Sequence, residues 1–295
     1  MGVVLVLGER GQVAGQLAKI AKQQSRQIVL AGRRVCNLLV DADPTRLLDQ
    51  FSPEAVINAA AFSAVDAAED MPQEANRLNG DIPGLFASAC AERAVPFVHF
   101  STDYVFSGSK GRPYIEDDAI DPLNIYGASK ALGEHAVTAA GGRHAILRTS
   151  WLFSETGENF AKTMLRLAEG REEISVVDDQ FGTPTYAEDC ALAAFACVDR
   201  LLLGDQQMTG LFHMAGTEAA SWADVAEGVL EGARLRGLPS ARIRRIMTSE
   251  YPSKTPRPVD TRLDSSRLAA VLGWRARSWK EGVGATLDGV LAAAN

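Results

Sequence analysis

The chain has 295 residues, 46% hydrophobic and 23% charged, an ordinary globular composition that excludes disorder, collagen and coiled coil. Its formal net charge is −7, and no run of Lys or Arg exceeds Arg33-Arg34 or Arg244-Arg245, so no basic stripe offers a nucleic-acid footprint. The length supplies one large domain or two smaller ones, with ample apolar surface for a core.

The N-terminus has neither a basic region nor a small-residue cleavage site, and reads as a strand over 3–7 rather than a signal peptide. Valine at position 6 spoils a myristoylation match. The longest central apolar stretch, 191–198, is too short to cross a bilayer, so no membrane partner is expected. Four cysteines show no CxxC spacing and four histidines form no HExxH, so no zinc site is expected. Lone cysteines in a chain of this size point to a reducing, cytoplasmic setting.

Short apolar runs at 3–7, 28–31, 55–58, 97–100 and 145–147 fit strands buried on both faces. Helical spacing occupies 12–24, 45–50, 72–94 and 126–140 between them. Parallel neighbours need a crossover helix, so this alternation predicts an α/β fold with a Rossmann-type doubly wound parallel sheet. Later elements are less regular: helices over 158–169, 186–203, 222–236, 265–272 and 280–293, with strands over 174–177 and 211–215. The expected organisation is a dinucleotide-binding domain over 1–150, receiving segments from 174–210, and mainly a substrate-binding lobe over 151–295. The segment 103–121, rich in Gly, Pro and acids, is the longest loop without periodicity, a usual carrier of function.

The first strand runs into Gly8-Glu9-Arg10-Gly11-Gln12-Val13-Ala14-Gly15, which opens a helix. Glycines at 8 and 11 let the backbone turn sharply toward a pyrophosphate, while free N–H groups and the helix dipole stabilise the anion. The second strand ends in Gly32-Arg33-Arg34 without the acid that usually binds an adenosine 2′-hydroxyl. Arg33 therefore favours NADPH through a charge-assisted contact to a 2′-phosphate, with NADH still possible.

The 97–100 strand continues into Ser101-Thr102-Asp103-Tyr104, and Tyr126-Gly127-Ala128-Ser129-Lys130 follows some twenty residues later. On a helix, i and i+4 share a face, so phenol and ammonium reach one cleft. A phenol that is protonated at neutral pH can donate to a ketone as hydride arrives, and a neighbouring ammonium is expected to lower its pKa. Lys130 can also hold ribose hydroxyls, and Thr102 can hydrogen-bond the substrate carbonyl.

These residues resemble the extended short-chain dehydrogenase/reductase family, and within it the reductases of dTDP-linked 4-keto sugars. The likeness continues through Asn58-Ala59-Ala60-Ala61-Phe62-Ser63-Ala64-Val65-Asp66, Pro122-Leu123-Asn124-Ile125-Tyr126-Gly127, Arg148-Thr149-Ser150-Trp151, Asn159-Phe160-Ala161-Lys162, Asp179-Gln180-Phe181-Gly182-Thr183-Pro184-Thr185 and Arg257-Pro258. It implies hydride transfer from NADPH to C4 of dTDP-4-dehydro-6-deoxy-L-mannose, giving dTDP-L-rhamnose. Thr102, Tyr126 and Lys130 fall on the family's catalytic positions. Thr102, Asp103 and Trp151 fall on its sugar-nucleotide contacts. Gly11, Gln12, Val13, Ala61, Phe62 and Ser63 match its cofactor contacts, joined by Gly8, Arg10 and Arg33 from the glycine turn and the second strand. Arg148 reads equally as a structural ion pair, Trp151 also as a core aromatic, and Asn58 as a buried strand end.

Some relatives bridge a dimer with magnesium through three glutamates. Here two of those positions read Gln16 and Gly289 and only Glu188 remains, so no such metal site is expected. The sequence does not choose between a monomer and a homodimer. Related dehydratases carry a glutamate where this chain has Tyr104, so elimination lacks its acid. Epimerases retain NAD, which suits the Arg33 turn poorly. Another nucleotide-sugar 4-ketoreductase stays open, as does a non-catalytic regulatory subunit of the same fold.

Overall fold

The computed structural model describes residues 2–294. Its first half alternates strand and helix: β1 (Val4–Leu7), α1 (Gln12–Gln23), β2 (Ile28–Ala31), α2 (Pro44–Phe51), β3 (Ala55–Asn58), α3 (Val65–Asp70), α4 (Pro72–Asn76), α5 (Ile82–Glu92), β4 (Phe97–Thr102), α6 (Ile125–Ala139) and β5 (His144–Thr149). A sixth strand, Gly210–His213, completes a sheet ordered Gly210–His213, β5, β4, β3, β1, β2, with every neighbouring pair parallel. The expected α/β doubly wound sheet is what forms. Strand order reverses between β1 and β3, and the crevice outside the carboxyl ends at such a reversal is where doubly wound folds bind ligands.

Side-chain alternation explains why the sheet is covered twice. Val4 and Val6 pack with Leu17 and Ile20 of α1 and with the helix Ala187–Leu202. Leu5 and Leu7 face the other way, into Leu47 of α2, Phe86 of α5 and Val137 of α6. A period of two on a strand buried on both faces reads as an unbroken apolar run, which is the pattern the sequence shows.

The predicted helix over 72–94 is interrupted by a π-helical turn, Arg77–Asp81. Pro83 has no N–H to return to the Asn79 carbonyl, and that carbonyl packs where a Cβ on Gly133 of α6 would lie only 2.1 Å away.

Outside the sheet, the helices Phe160–Ala168, Trp222–Leu235 and Trp279–Ala294 enclose a second core around Phe153, Met164, Val176 and Trp279. Strand Glu173–Val177 pairs in parallel there with Arg242–Ile246. The latter was not anticipated, because Arg-Ile-Arg-Arg-Ile turns mostly charged side chains outward and carries too few apolar positions to stand out. Among the described residues, no helix is long and apolar enough to cross a membrane.

Candidate active site

The first βα turn forms as its glycines require. Gly8 adopts φ +109°, and a Cβ there would lie 3.2 Å from the Ala60 amide nitrogen. Gly11 is the N-cap of α1 and no side chain caps that helix, which leaves its first N–H groups for an anion. A cavity of about 410 Å³ opens there, lined by Gly8, Arg10, Gly11, Arg33, Arg34 and Ala61 among others. The three arginines are exposed and make no salt bridge among the described residues. Glu9 is the one carboxylate in the lining, so the cavity carries an excess of positive charge.

The neighbouring loop is held from beneath. Asn79 accepts from the Phe62 amide at 2.8 Å, donates to the Phe62 carbonyl at 3.0 Å and donates to Ser129 Oγ at 2.9 Å. This leaves Ala61 and Ser63 exposed beside the cavity. The Gln12 side chain turns away, donating to the Leu152 carbonyl at 3.2 Å and accepting from Ser154 and Asn159. Val13 packs into the core, so these two residues offer an anion only their backbone at the helix start.

Thr102 ends β4, where a short 3₁₀ turn, Asp103–Val105, begins. The Tyr104 amide donates to Thr102 Oγ1 at 3.2 Å, and Thr102 donates to Asp103 Oδ1 at 3.1 Å. Asn124 caps α6 by accepting from the Gly127 amide at 2.8 Å, which places Tyr126 in the first turn and Lys130 one turn later. A Cβ on Gly127 would lie 2.1 Å from the Tyr104 carbonyl, so only glycine lets α6 approach the turn this closely. The rings of Tyr126 and Tyr104 meet edge to face at 5.8 Å. The Tyr126 hydroxyl lies beside that of Thr102.

Burial dominates the electrostatics. It pushes the Tyr126 phenol up to about 12, against a smaller downward pull from Thr102. Burial brings Lys130 down to about 8, opposed by Glu134, and the ammonium donates to the Phe100 carbonyl at 2.5 Å. The expectation that Lys130 lowers the Tyr126 pKa is therefore corrected for the protein alone. Desolvation raises the phenol, Asp103 and Tyr104 add to the rise, and the Lys130 amine is turned to the backbone of β4. Asp103 is 2% exposed, with both carboxyl oxygens engaged by Thr102 and Thr261, and burial raises it to about 7.

Trp151 sits at φ +48°, a left-handed conformation rare for a bulky residue. Its ring stacks on Trp222 at 3.6 Å, with Phe160 tilted against Trp222 at 4.7 Å. A Cβ on Gly182 would lie 2.5 Å from the Trp151 ring, so that glycine makes room for the stack.

Against this geometry, the family model described as RmlD substrate binding domain matches residues 1–291. The chain belongs to the RmlD substrate-binding-domain family. Two dTDP-4-dehydrorhamnose reductases are similar to it. The protein from Sinorhizobium fredii is 38% identical over 271 residues, covering 90% of this chain and 92% of its own. The protein from Burkholderia thailandensis is 39% identical over 290 residues, covering 95% and 96%. Among solved structures, the dTDP-4-dehydrorhamnose reductase of Clostridium acetobutylicum superposes with a TM-score of 0.88 at 31% identity, covering 97% of this chain and 98% of that one. That of Bacillus anthracis, in complex with NADP, gives 0.85 at 30% identity, covering 96% and 98%.

Other positions of this RmlD-family chain prove to be internal supports. Arg148 makes two hydrogen bonds to Glu134, at 2.8 and 2.7 Å, with both side chains buried, so the ion-pair reading holds for it. Asn58 accepts from the Ala60 amide at 3.1 Å and pairs with His99 inside the sheet. Glu188 is taken up by Lys19 at 2.9 Å and Arg277 at 3.1 Å, and Lys19 also bridges Glu155. Among the described residues, no group of three or more His, Cys, Asp or Glu side chains could hold a metal ion. Asn79, Glu134 and Thr261 escaped the sequence reading. The one local signal was Pro83, which marks a break in its helix four residues after Asn79.

Proposed function

We propose that this protein is an NADPH-dependent reductase that converts the C4 ketone of dTDP-4-dehydro-6-deoxy-L-mannose to the alcohol of dTDP-L-rhamnose. The observation that carries the reading is a juxtaposition at the carboxyl ends of one parallel sheet: an uncapped helix N-terminus lined with arginines follows β1, and two strands along Thr102 ends β4 with Tyr126 and Lys130 of α6 packed against it. Relatives named dTDP-4-dehydrorhamnose reductase at 38–39% identity over nearly the whole chain support the substrate, and the NADP complex of the Bacillus anthracis protein supports the coenzyme.

The dinucleotide fits these residues. Gly8, Gly11 and the first N–H groups of α1 would hold its pyrophosphate, Arg10 and Arg33 its 2′-phosphate, and Ala61, Phe62 and Ser63 the adjoining ribose side. When bound, it supplies a hydride for the ketone carbon. Tyr126 gives its phenolic proton to the ketone oxygen, and its raised pKa keeps that proton in place at neutral pH. Lys130, whose amine donates to the Phe100 carbonyl, would hold nicotinamide-ribose hydroxyls when the coenzyme is bound, and its lowered pKa eases return of a proton to the phenol. Thr102 hydrogen-bonds the same oxygen and fixes its angle. Trp151, held by a strained backbone and stacked on Trp222, would pack on the sugar nucleotide. Asp103 serves the sugar site through Thr102, because its own carboxyl is buried.

The test is direct. Purified protein, NADPH and the dTDP-4-keto sugar should lose absorbance at the nicotinamide band and yield dTDP-L-rhamnose on product analysis. No loss of absorbance would favour a binding role, and a different 6-deoxy sugar would reassign the stereochemistry.

A further inference from the structure

The hydroxyl of Thr102 has one proton and two lone pairs, and the structure accounts for nearly all of them. One lone pair accepts from the Tyr104 amide at 3.2 Å, and the proton goes to Asp103 Oδ1 at 3.1 Å. What remains toward Tyr126 is a lone pair. Oriented this way, Thr102 accepts but does not donate, whereas a ketone oxygen gaining charge needs donors. A carboxylate at Oδ1 holds that proton, and a proton on Asp103 releases it, because Thr102 then accepts from the carboxyl and turns its own proton to the cleft.

We propose that Asp103, gripped by Thr261, is a positioning residue that sets the direction of the Thr102 hydroxyl and points it at the ketone only when the Asp103 carboxyl is protonated. Thr261 arrives from the far end of the chain, 158 residues away, and donates to the other carboxyl oxygen, Oδ2. That grip leaves Oδ1 aimed at Thr102. The proton on Asp103 stays there through turnover and only selects a hydrogen-bond direction. Burial supports the device by raising this carboxyl to about 7, so that it titrates near neutral pH.

Ionisable neighbours leave Asp103 as the group that switches. Tyr104 on the same turn and Tyr126 on α6 are both raised and neutral near pH 7. Lys130 on α6 is turned to the Phe100 carbonyl. On the C-terminal segment, Arg257 is bound by Asp66 and the Tyr104 hydroxyl, and Asp260 is bound by Arg262.

This inference rests on the reductase reading, and one set of kcat–pH profiles separates the two. In the wild-type protein, kcat should fall as pH rises through about 7. Asp103→Asn, whose amide can donate to Thr102 as the acid does, removes that step and leaves only the fall set by Lys130 near 8. Thr261→Val deletes a donor to the carboxylate and moves the midpoint up by about one pH unit, and Thr261→Ser restores it. A midpoint near 7 that persists in Asp103→Asn, or one that Thr261→Val leaves in place, overturns the proposal even if Asp103→Asn proves unstable. A wild-type protein that never turns over the keto sugar sinks the reductase reading, and this inference with it.

Discussion

At the scale of single residues, the cleft is a set of groups removed from water and left with few choices of partner. Tyr126 is the residue we propose as the acid that protonates a ketone there. Tyr126→Phe should therefore keep NADPH affinity while lowering kcat by about 10²–10⁴, the usual worth of general acid catalysis, and near-normal turnover would contradict the assignment. Arg33 is exposed, without a salt-bridge partner among the described residues, and lines the cavity at α1. Arg33→Ala should raise the Kd for NADPH by about tenfold, one charge-assisted bond, and leave NADH nearly unchanged in a titration of both. An equal response of the two would remove the 2′-phosphate assignment. Trp151→Ala should raise the sugar-nucleotide KM without touching coenzyme affinity. An unchanged KM would return the ring to the Trp222 stack as a purely structural partner.

At the scale of elements, the site depends on how closely α6 approaches its neighbours. Two glycines allow it, Gly127 against the Tyr104 carbonyl and Gly133 against the Asn79 carbonyl. Gly133→Ala would force a Cβ to 2.1 Å from that oxygen, in a place lined by backbone rather than by a flexible side-chain end. We expect a loss of about 1–3 kcal/mol in denaturant unfolding, together with weaker NADPH binding, since Asn79 also fastens the Phe62 loop. Unaltered stability would mean that the π-turn shifts without cost. Helix α6 is anchored a second time by the buried Glu134–Arg148 pair, which ties it to β5.

At the scale of the whole molecule, buried titratable groups make stability a function of pH. Burial, with Arg148 adding repulsion, lowers His213 to about 3, and burial with Lys130 lowers His99 well below 6.5. Unfolded, both bind protons near 6.5, so the stability they leave in place at neutral pH is lost as pH falls below that value. Asp103 acts oppositely, since its folded carboxyl keeps a proton up to about 7 while the unfolded one loses it near 3.8. Its contribution therefore shrinks as pH rises through that window. Two histidines against one aspartate predict a lower Tm at pH 5 than at pH 7.5 by calorimetry. A Tm that climbs on acidification would show that the carboxyl dominates.

The sequence by itself determined the alternation of strands and helices, the glycine turn, and the Thr102, Tyr126 and Lys130 set. The alternation, the glycine turn and the Tyr126–Lys130 pair are written in local periodicity or in spacings within one element, where neighbours along the chain are neighbours in space, and Thr102 was marked by its place at the end of the preceding strand. Tertiary structure alone decided what surrounds them. Thr261 meets Asp103, Glu134 meets Arg148, and Trp222 meets Trp151 only after the lobes assemble. The strand Arg242–Ile246 likewise exists because Glu173–Val177 offers it an edge. Burial then raised the Tyr126 phenol where its spacing from Lys130 suggested a fall, because desolvation depends on everything packed around a group and leaves no mark in the spacing of two residues.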